Sequence, residues 1–376
     1  ACAFVAVGCL IKYATVVLLP AFVVLALRRR SWRDLRALAL PVGALLAWSG
    51  FNWLAYGGVH LFERAAELGE ADQGLRTLLA LSAGRLPLWF VGLGALSPFA
   101  LAFAGRGRGR LLLTCALVGA AVAAAGMLLP LSDLPAFAGV NATDAALRGL
   151  FFANGLFFAF LARRAIREGG EDTAVLGTWV ASALLMAVFM APFPAARHIM
   201  LAMPALLLLV ARAFPPAPVA RRAALAATAA LGAALAVSDW RRADLYREEA
   251  QAIASPSSTW TVGHWGWQWY AWQRGLREYE PGQSRLAPGD LLVVPQGIHR
   301  QPITPEDAAL LRPVAASVVP GTVLDLLRTV TPAGGFYYYW AAVPWTVRSG
   351  PVETFQFYEV RRPGLIRAAA ATRKRE

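Results

Sequence analysis

The chain has 376 residues, of which 57% are hydrophobic and only 16% charged, with a mean hydropathy of +0.49. That balance cannot cover a water-soluble surface, so lipid must solvate much of the chain and a wholly soluble protein is excluded. The formal net charge of +13 suggests nucleic acid at first sight, but the arginines stand in short clusters between apolar runs, where they set membrane topology, and no nucleic-acid partner is expected.

The chain opens inside an apolar run, with no Met and no charged leader region, which predicts that its natural N-terminus lies upstream. A first membrane span is expected from Ala1 to Leu27, closed by Arg28, Arg29, Arg30, Arg33 and Arg36. A second runs from Ala37 to Tyr56, and a mixed stretch from Gly57 to Arg85 carries Glu63, Glu67, Glu70 and Asp72. The third covers Leu86 to Ala104 and is followed by the basic turn GRGRGR, Gly105 to Arg110. The fourth is Leu111 to Leu131, followed by a loop with Asp133, Asn141 and Asp144; the fifth is Leu147 to Ala162, closed by Arg163, Arg164 and Arg167. Ala174 to Ala191, Ile199 to Ala211 and Ala223 to Val237 complete about eight spans, some shorter than the ~20 residues a crossing helix needs.

The charges test that count independently, because cytoplasmic loops are rich in Lys and Arg. The loops after the first, third, fifth and seventh spans hold the Arg clusters, the last being Arg212, Arg221 and Arg222. The alternate loops hold the acids and only Arg64, Arg76, Arg85, Arg148 and Arg197. This alternation places Ala1, Arg197 and everything after the last span outside. Cys2, Cys9 and Cys115 all lie in apolar segments, so no disulfide framework is implied. Lys12 and Lys374 are the only lysines, a bias that fits a GC-rich bacterial gene.

The fold class that follows is a multi-pass α-helical membrane protein with a small C-terminal α/β domain outside. Residues 1–238 form the bundle, 239–366 the outer domain, and 367–376 a basic tail expected to be disordered. In the outer domain, STWTVG (258–263), DLLVVP (290–295) and TFQFYEV (354–360) read as strands. Thr304-Pro305-Glu306-Asp307 reads as a helix start, with Thr as cap, Pro first and acids in the first turn. GHWGWQWYAWQRGLREY reads as a helix in which Trp265, Trp269, Trp272, Leu276 and Tyr279 form one apolar stripe. That stripe is expected to pack on the sheet or the membrane surface. Trp267 and Tyr270 fall off it and are left to stack on a sugar ring or to lie at the bilayer interface.

No P-loop, strand-to-helix GxGxxG, CxxC or HExxH is present, so no cofactor is expected. His60, His198, His264 and His299 are scattered without ligand spacing, and no metal site is expected. Two basic residues at membrane positions remain. Lys12, within the first apolar run, either snorkels or pairs inside the bundle, or meets an anionic substrate. Arg197, beside His198 at the mouth of the seventh span, is either an interfacial anchor or a bidentate partner for phosphate.

The segments LIKYATVVLLP and FPAARHIMLAMPALLLL, with the multi-span body, resemble bacterial members of the GT-C superfamily of membrane glycosyltransferases, the protein O-mannosyltransferase-like group (glycosyltransferase family 39/83-like). Members have a late span that opens with Arg and an aromatic or His, followed by an apolar run with Pro; here those positions are Arg197, His198 and Pro204. VGHWGWQWYAWQRG, PGDLLVVP and GGFYYYWAAVPWT are also similar to the outer domain of that group. The resemblance implies transfer of a sugar from a polyprenyl-phosphate carrier to a glycan, lipid or protein acceptor on the outer face of the cytoplasmic membrane. It implies Arg197, His198 and Lys12 as residues that contact the carrier's phosphate or the substrate. It also places a catalytic acid in the first outer loop, which would precede Ala1, so the catalytic residue is not visible in this chain; Asp133 and Asp144 are outer-side acids that nothing maps to that role. The alternative is a non-enzymatic transporter or scaffold with a binding domain outside, which the absence of an internal repeat disfavours.

Overall fold

A computed structural model describes residues 1–59, 75–99, 107–128, 141–170, 172–191, 195–254, 258–331, 335–336 and 343–361. The acidic stretch 63–72, Asp133, His60 and the basic tail 367–376 lie outside the described residues. The chain divides into two compact units, one comprising Ala1–Ala230 with Pro332–Thr346, the other Leu231–Thr331 with Val347–Glu376. The sequence suggested a single break at 238/239. The division instead falls a few residues earlier and returns 332–346 to the first unit.

The first unit is helical. The expected first span is broken: α1 (Cys2–Ile11) ends at Lys12, whose φ of −155° and ψ of 120° are extended, and a 3-10 turn (Tyr13–Leu18) leads into α2 (Leu19–Arg28). Pro20 explains the new start, since it has no N–H to donate and suits a first helical turn. Gly8 lets the turn fold back on α1, because a Cβ there would lie 2.8 Å from Thr15 Cγ2. A short α3 (Trp32–Ala37), capped by the Ser31 hydroxyl, precedes α4 (Ala39–Tyr56), which ends on Gly57 at φ +75°. Then follow α5 (Leu75–Leu96), α6 (Gly109–Leu128) and α7 (Ala142–Glu168), the last opened by a reciprocal capping box between Asn141 and Asp144. α8 (Thr173–Leu185) runs into a π-helical turn at Met186–Met190, and α9 (Ala196–Ile199) precedes α10 (Met203–Ala213). α11 (Pro218–Ala252) has 35 residues and continues well past the expected end at Val237.

Among the described residues, four helical stretches, Trp32–Tyr56, Gly109–Met127, Ala142–Glu168 and Pro218–Ala252, are long and apolar enough to cross a membrane, and five shorter apolar helices accompany them. Their apolar side chains face outward as well as inward: Phe4, Leu46 and Leu54 are all mostly exposed, which suits lipid and not water. The core joins Trp89 and Leu93 of α5 to Phe157, Phe158 and Leu161 of α7 and to Leu206, Leu209 and Val210 of α10.

Small residues set the helix crossings. A Cβ on Gly94 of α5 would meet Phe151 O of α7 at 1.8 Å, and one on Gly155 would meet Phe90 O at 2.0 Å. Gly119 and Ala123 of α6 face Gly149 and Ala153 of α7 reciprocally, each glycine's Cβ position lying 2.4 Å from the other's carbonyl oxygen. This small-xxx-small pairing is how membrane helices gain contact where burial of apolar surface gives no advantage. Asn154 adds polar contacts, its amide donating to Gly94 O (2.9 Å) and Ser97 O (2.6 Å).

The second unit is built on a mixed five-stranded sheet. Its strands are β1 (Thr259–Thr261), β2 (Arg277–Glu278), β3 (Leu291–Pro295), β4 (Leu311–Val319) and β5 (Glu353–Val360), in the order β2-β1-β3-β5-β4. β1 is parallel to β2 and β3, whereas β5 runs antiparallel to β3 and β4, with Val293 opposite Phe357. β4 was not among the expected strands, and Pro313 interrupts it. It lies at the sheet edge with a register shift at Pro313/Ala315, where a missing N–H is tolerated. α12 (Trp265–Arg274) connects β1 to β2, and α13 (Pro305–Ala308) is capped by Thr304 as expected. The end of α11 belongs to this unit, with Leu245, Tyr246 and Ala250 packing on Trp267, Val293 and Phe355. Beneath it, Glu353 is fully buried and accepts from Arg242 Nη2 (3.2 Å), Tyr246 Oη (2.7 Å) and Gly297 N (2.7 Å).

The aromatic stripe does not pack on the sheet, and its extent is corrected. Trp267 and Ala271 are fully buried, whereas Trp265, Trp269 and Trp272 are 47%, 54% and 67% exposed. The expected stripe assumed a helix continuing to Tyr279. Gly275, at φ +89°, ends it at Arg274, so Leu276 and Tyr279 fall out of helical phase with the tryptophans. The sheet covers the opposite face.

Candidate functional site

The site grows from one proline. Pro192 follows Ala191, and a residue before proline is driven from the helical region; Ala191 has φ −68° and ψ 133°. The helix therefore stops with open carbonyls, after a widened turn in which Ala191 N donates to Met186 O (2.8 Å). Arg85 of α5 answers them: its Nη1 donates to Val188 O (2.9 Å) and Ala191 O (3.0 Å), and the residue is buried. A cation at a helix C-terminus also meets the negative end of the helix dipole.

Beside this contact lies a small open cleft of about 40 Å³, lined by Arg85, Leu88, Trp89 and Gly92 of α5, by Ala187 and Val188 of the π turn, and by Ala195, Ala196 and Ile199 at α9. Gly92 leaves room for the end of the Ile199 side chain, since a Cβ would fall 2.2 Å from Ile199 Cδ1 and make that methyl turn away. Gly335 and Pro344 complete the wall. Their segment is seated on the bundle: Trp345 packs on Phe151 with centroids 4.7 Å apart and donates its indole N–H to Ala95 O (3.2 Å), while the Thr346 hydroxyl bonds to Asp144.

Two features define the chemistry of the cleft. None of its described lining residues is acidic. Trp89, one helical turn after Arg85, has a buried indole N–H with no hydrogen-bond partner among the described residues. A buried donor left unmade costs about 1–3 kcal/mol, and because this nitrogen is closed off from solvent that cost falls within the bundle and is not a contact the cleft presents. The walls are otherwise apolar and suit the hydrocarbon part of a ligand.

Arg197 and His198 sit on α9, between the lining residues Ala196 and Ile199; Arg197 is partly buried and His198 is buried. The linker after α9 is held by Trp179, whose indole N–H donates to Leu201 O (2.7 Å). Lys12 stands exposed at the α1 break and is not among the cleft residues. Asp144 is fully buried and engaged with the Asn141 cap and Thr346, which makes it a structural acid and not one presented to an acceptor. Trp267 has no surface to offer a sugar: its indole N–H donates to Thr261 Oγ1 (2.6 Å) and Val262 O (3.1 Å). Tyr270 packs partly buried on the same core. Arg85 and Trp89 were missed. The available signal was an arginine inside the apolar run TLLALSAGRLPLW, which the mixed stretch before it made look like a loop residue.

No family model matches the chain, and neither does any curated protein or solved structure.

Proposed function

We propose that the chain is an integral-membrane glycosyltransferase that moves a hexosyl or pentosyl group from a polyprenyl-phosphate carrier to a lipid, glycan or protein acceptor at the outer face of a bacterial cytoplasmic membrane. The observation that carries this reading is the place of Arg197 and His198 on α9, between residues that line an apolar cleft with no described acid. In this reading the bundle has about eight crossings, the broken and shorter apolar helices adding to the four long ones, and the Arg alternation puts α9 and the C-terminal unit outside. The carrier's phosphate takes the guanidinium of Arg197 at the mouth, with His198 beside it, and the prenyl chain lies along the apolar helices. An acceptor hydroxyl attacks the anomeric carbon, the bond to the phosphate oxygen breaks with its electron pair leaving on the phosphate, and the hydroxyl proton passes to that departing phosphate. A cation that binds more tightly as this charge develops lowers the barrier itself.

Transfer of labelled sugar from the carrier, measured in membranes, tests this. Arg197→Ala is expected to lose most activity, and Arg197→Lys, which keeps charge but not the planar fork, to retain part of it. Wild-type turnover by Arg197→Ala at limiting carrier overturns the assignment.

A further inference from the structure

The tryptophan face of α12 borders a second cluster that the transfer chemistry does not use. Because β1, β2 and β3 are parallel, their carboxyl ends lie on one edge of the sheet, where open α/β sheets hold ligands. The residues gathered there are bonded into one network. Gly263, just after β1, donates its N–H to Gln301 Oε1 (2.7 Å), and Gln301 Nε2 donates to Glu278 Oε1 at the end of β2 (2.8 Å). Gln268 of α12 donates to the same Glu278 oxygen (2.7 Å). His264 donates its backbone N–H to His299 O (3.1 Å), and the two imidazoles lie 5.3 Å apart. Glu278 and His299 are exposed.

Next to this network stand the indoles. Trp265 opens α12 at φ +64°, a conformation rare for a bulky residue, and Trp269 follows one turn later with Trp272 5.4 Å from it. We propose that this edge is a binding site for a neutral carbohydrate chain, with Trp265, Trp269 and Trp272 as the stacking platform and Gln268, Glu278 and Gln301 as the groups that read hydroxyls. A pyranose offers an apolar C–H face and a rim of hydroxyls that each donate and accept. Exposed rigid indoles match the face, and paired amides around a carboxylate match the rim. The polar groups already hold one another, so little side-chain freedom is lost on binding.

A lipid surface is the competing occupant of three exposed tryptophans. The observations favour sugar. A carboxylate and two amides border the indoles, and the two arginines that follow are turned onto the domain: Arg274 donates to Ile253 O (3.4 Å), and Arg277 lies over the Trp260 ring at 5.4 Å.

The test uses the full chain in lipid nanodiscs, titrated calorimetrically with five- and six-residue oligomers of glucose, mannose and N-acetylglucosamine, without any lipid carrier. Saturable binding of at least one series is expected, weakened tenfold or more by Trp269→Ala and by Gln268→Ala. Trp240→Ala, an exposed tryptophan on α11, should leave it unchanged. Since Trp269 is at the surface, its variant should keep the wild-type melting temperature. No saturable binding to any series, or wild-type binding by Trp269→Ala, overturns the proposal. So does strong quenching of tryptophan emission by lipids brominated on their acyl chains that disappears in a Trp265→Phe/Trp269→Phe/Trp272→Phe variant, which would assign the face to the bilayer. Sugar transfer without oligomer binding refutes this site alone, and oligomer binding without transfer refutes the transferase alone.

Discussion

Trp267 and Trp269 stand two residues apart in one helix and do opposite things. Trp267 fills the second unit's core against Tyr246 and Phe355, with centroids 6.5 Å and 4.9 Å away, whereas Trp269 faces outward. Trp267→Ala is therefore expected to destabilise the fold by about 3–5 kcal/mol, and Trp269→Ala by no more than about 0.5 kcal/mol. Chaotrope titration followed by circular dichroism measures both, and equal losses would show that the helix is buried on a different face. Asp325 makes a second residue-scale case. Burial opposes its charge, but the hydrogen bond from Arg241 and those from the Thr322 hydroxyl and backbone outweigh it and hold the carboxyl at about 2. A pKa below the unfolded value stabilises the fold above about pH 4 and loses that contribution as pH falls through about 2. The effect is at most about 2 kcal/mol, nearer 1 because Arg241 is half exposed and screened. The stability gap between the protein and Asp325→Asn should thus be full at pH 6 and closed at pH 2; a gap independent of pH would remove Asp325 from this role.

At the scale of elements, the bundle depends on how closely helices can approach. Gly149 and Gly119 place backbone against backbone, so a side chain at either forces α6 and α7 apart along their whole crossing. Gly149→Leu is expected to abolish a monodisperse folded protein in detergent. Gly43→Ala and Gly50→Ala on α4, where nothing lies within 4 Å of the new Cβ, should be tolerated and even raise the melting temperature slightly. A melt of Gly149→Leu indistinguishable from the parent would mean that the α6–α7 contact contributes nothing. The same reasoning explains why α9 can wall the cleft. Gly92 leaves room for Ile199, and Pro192 ends the preceding helix early enough for Arg85 to reach its carbonyls.

For the whole molecule, the expectation to be tested is orientation. The Arg clusters fall on every second loop, a pattern from which the C-terminal unit is expected outside the cytoplasm. An alkaline phosphatase fused after Val360 should be active, and a cytoplasm-dependent fluorescent reporter at the same site should stay dark. A fluorescent fusion with inactive phosphatase would reverse the assignment and, with it, the side on which Arg197 meets a carrier.

What the sequence determined by itself is what composition and local periodicity control. Apolar runs, the spacing of Arg clusters and cap chemistry at Thr304 act within a few residues, so the membrane bundle, the C-terminal sheet and three of its strands could be read from the order of residues. The α12 register could not, because the stripe 265/269/272 and the alternative 267/271 are both helical, and only the sheet beneath decides which one is buried. The small-residue pairs were visible as Gly119-xxx-Ala123 and Gly149-xxx-Ala153, but which glycine meets which is a property of two helices in space. The cleft is more remote still. Arg85 meets carbonyls more than a hundred residues away, and Pro344 closes the wall from the far end of the chain. Such contacts leave no local signature, since each residue's type answers to a neighbour that only the tertiary fold supplies.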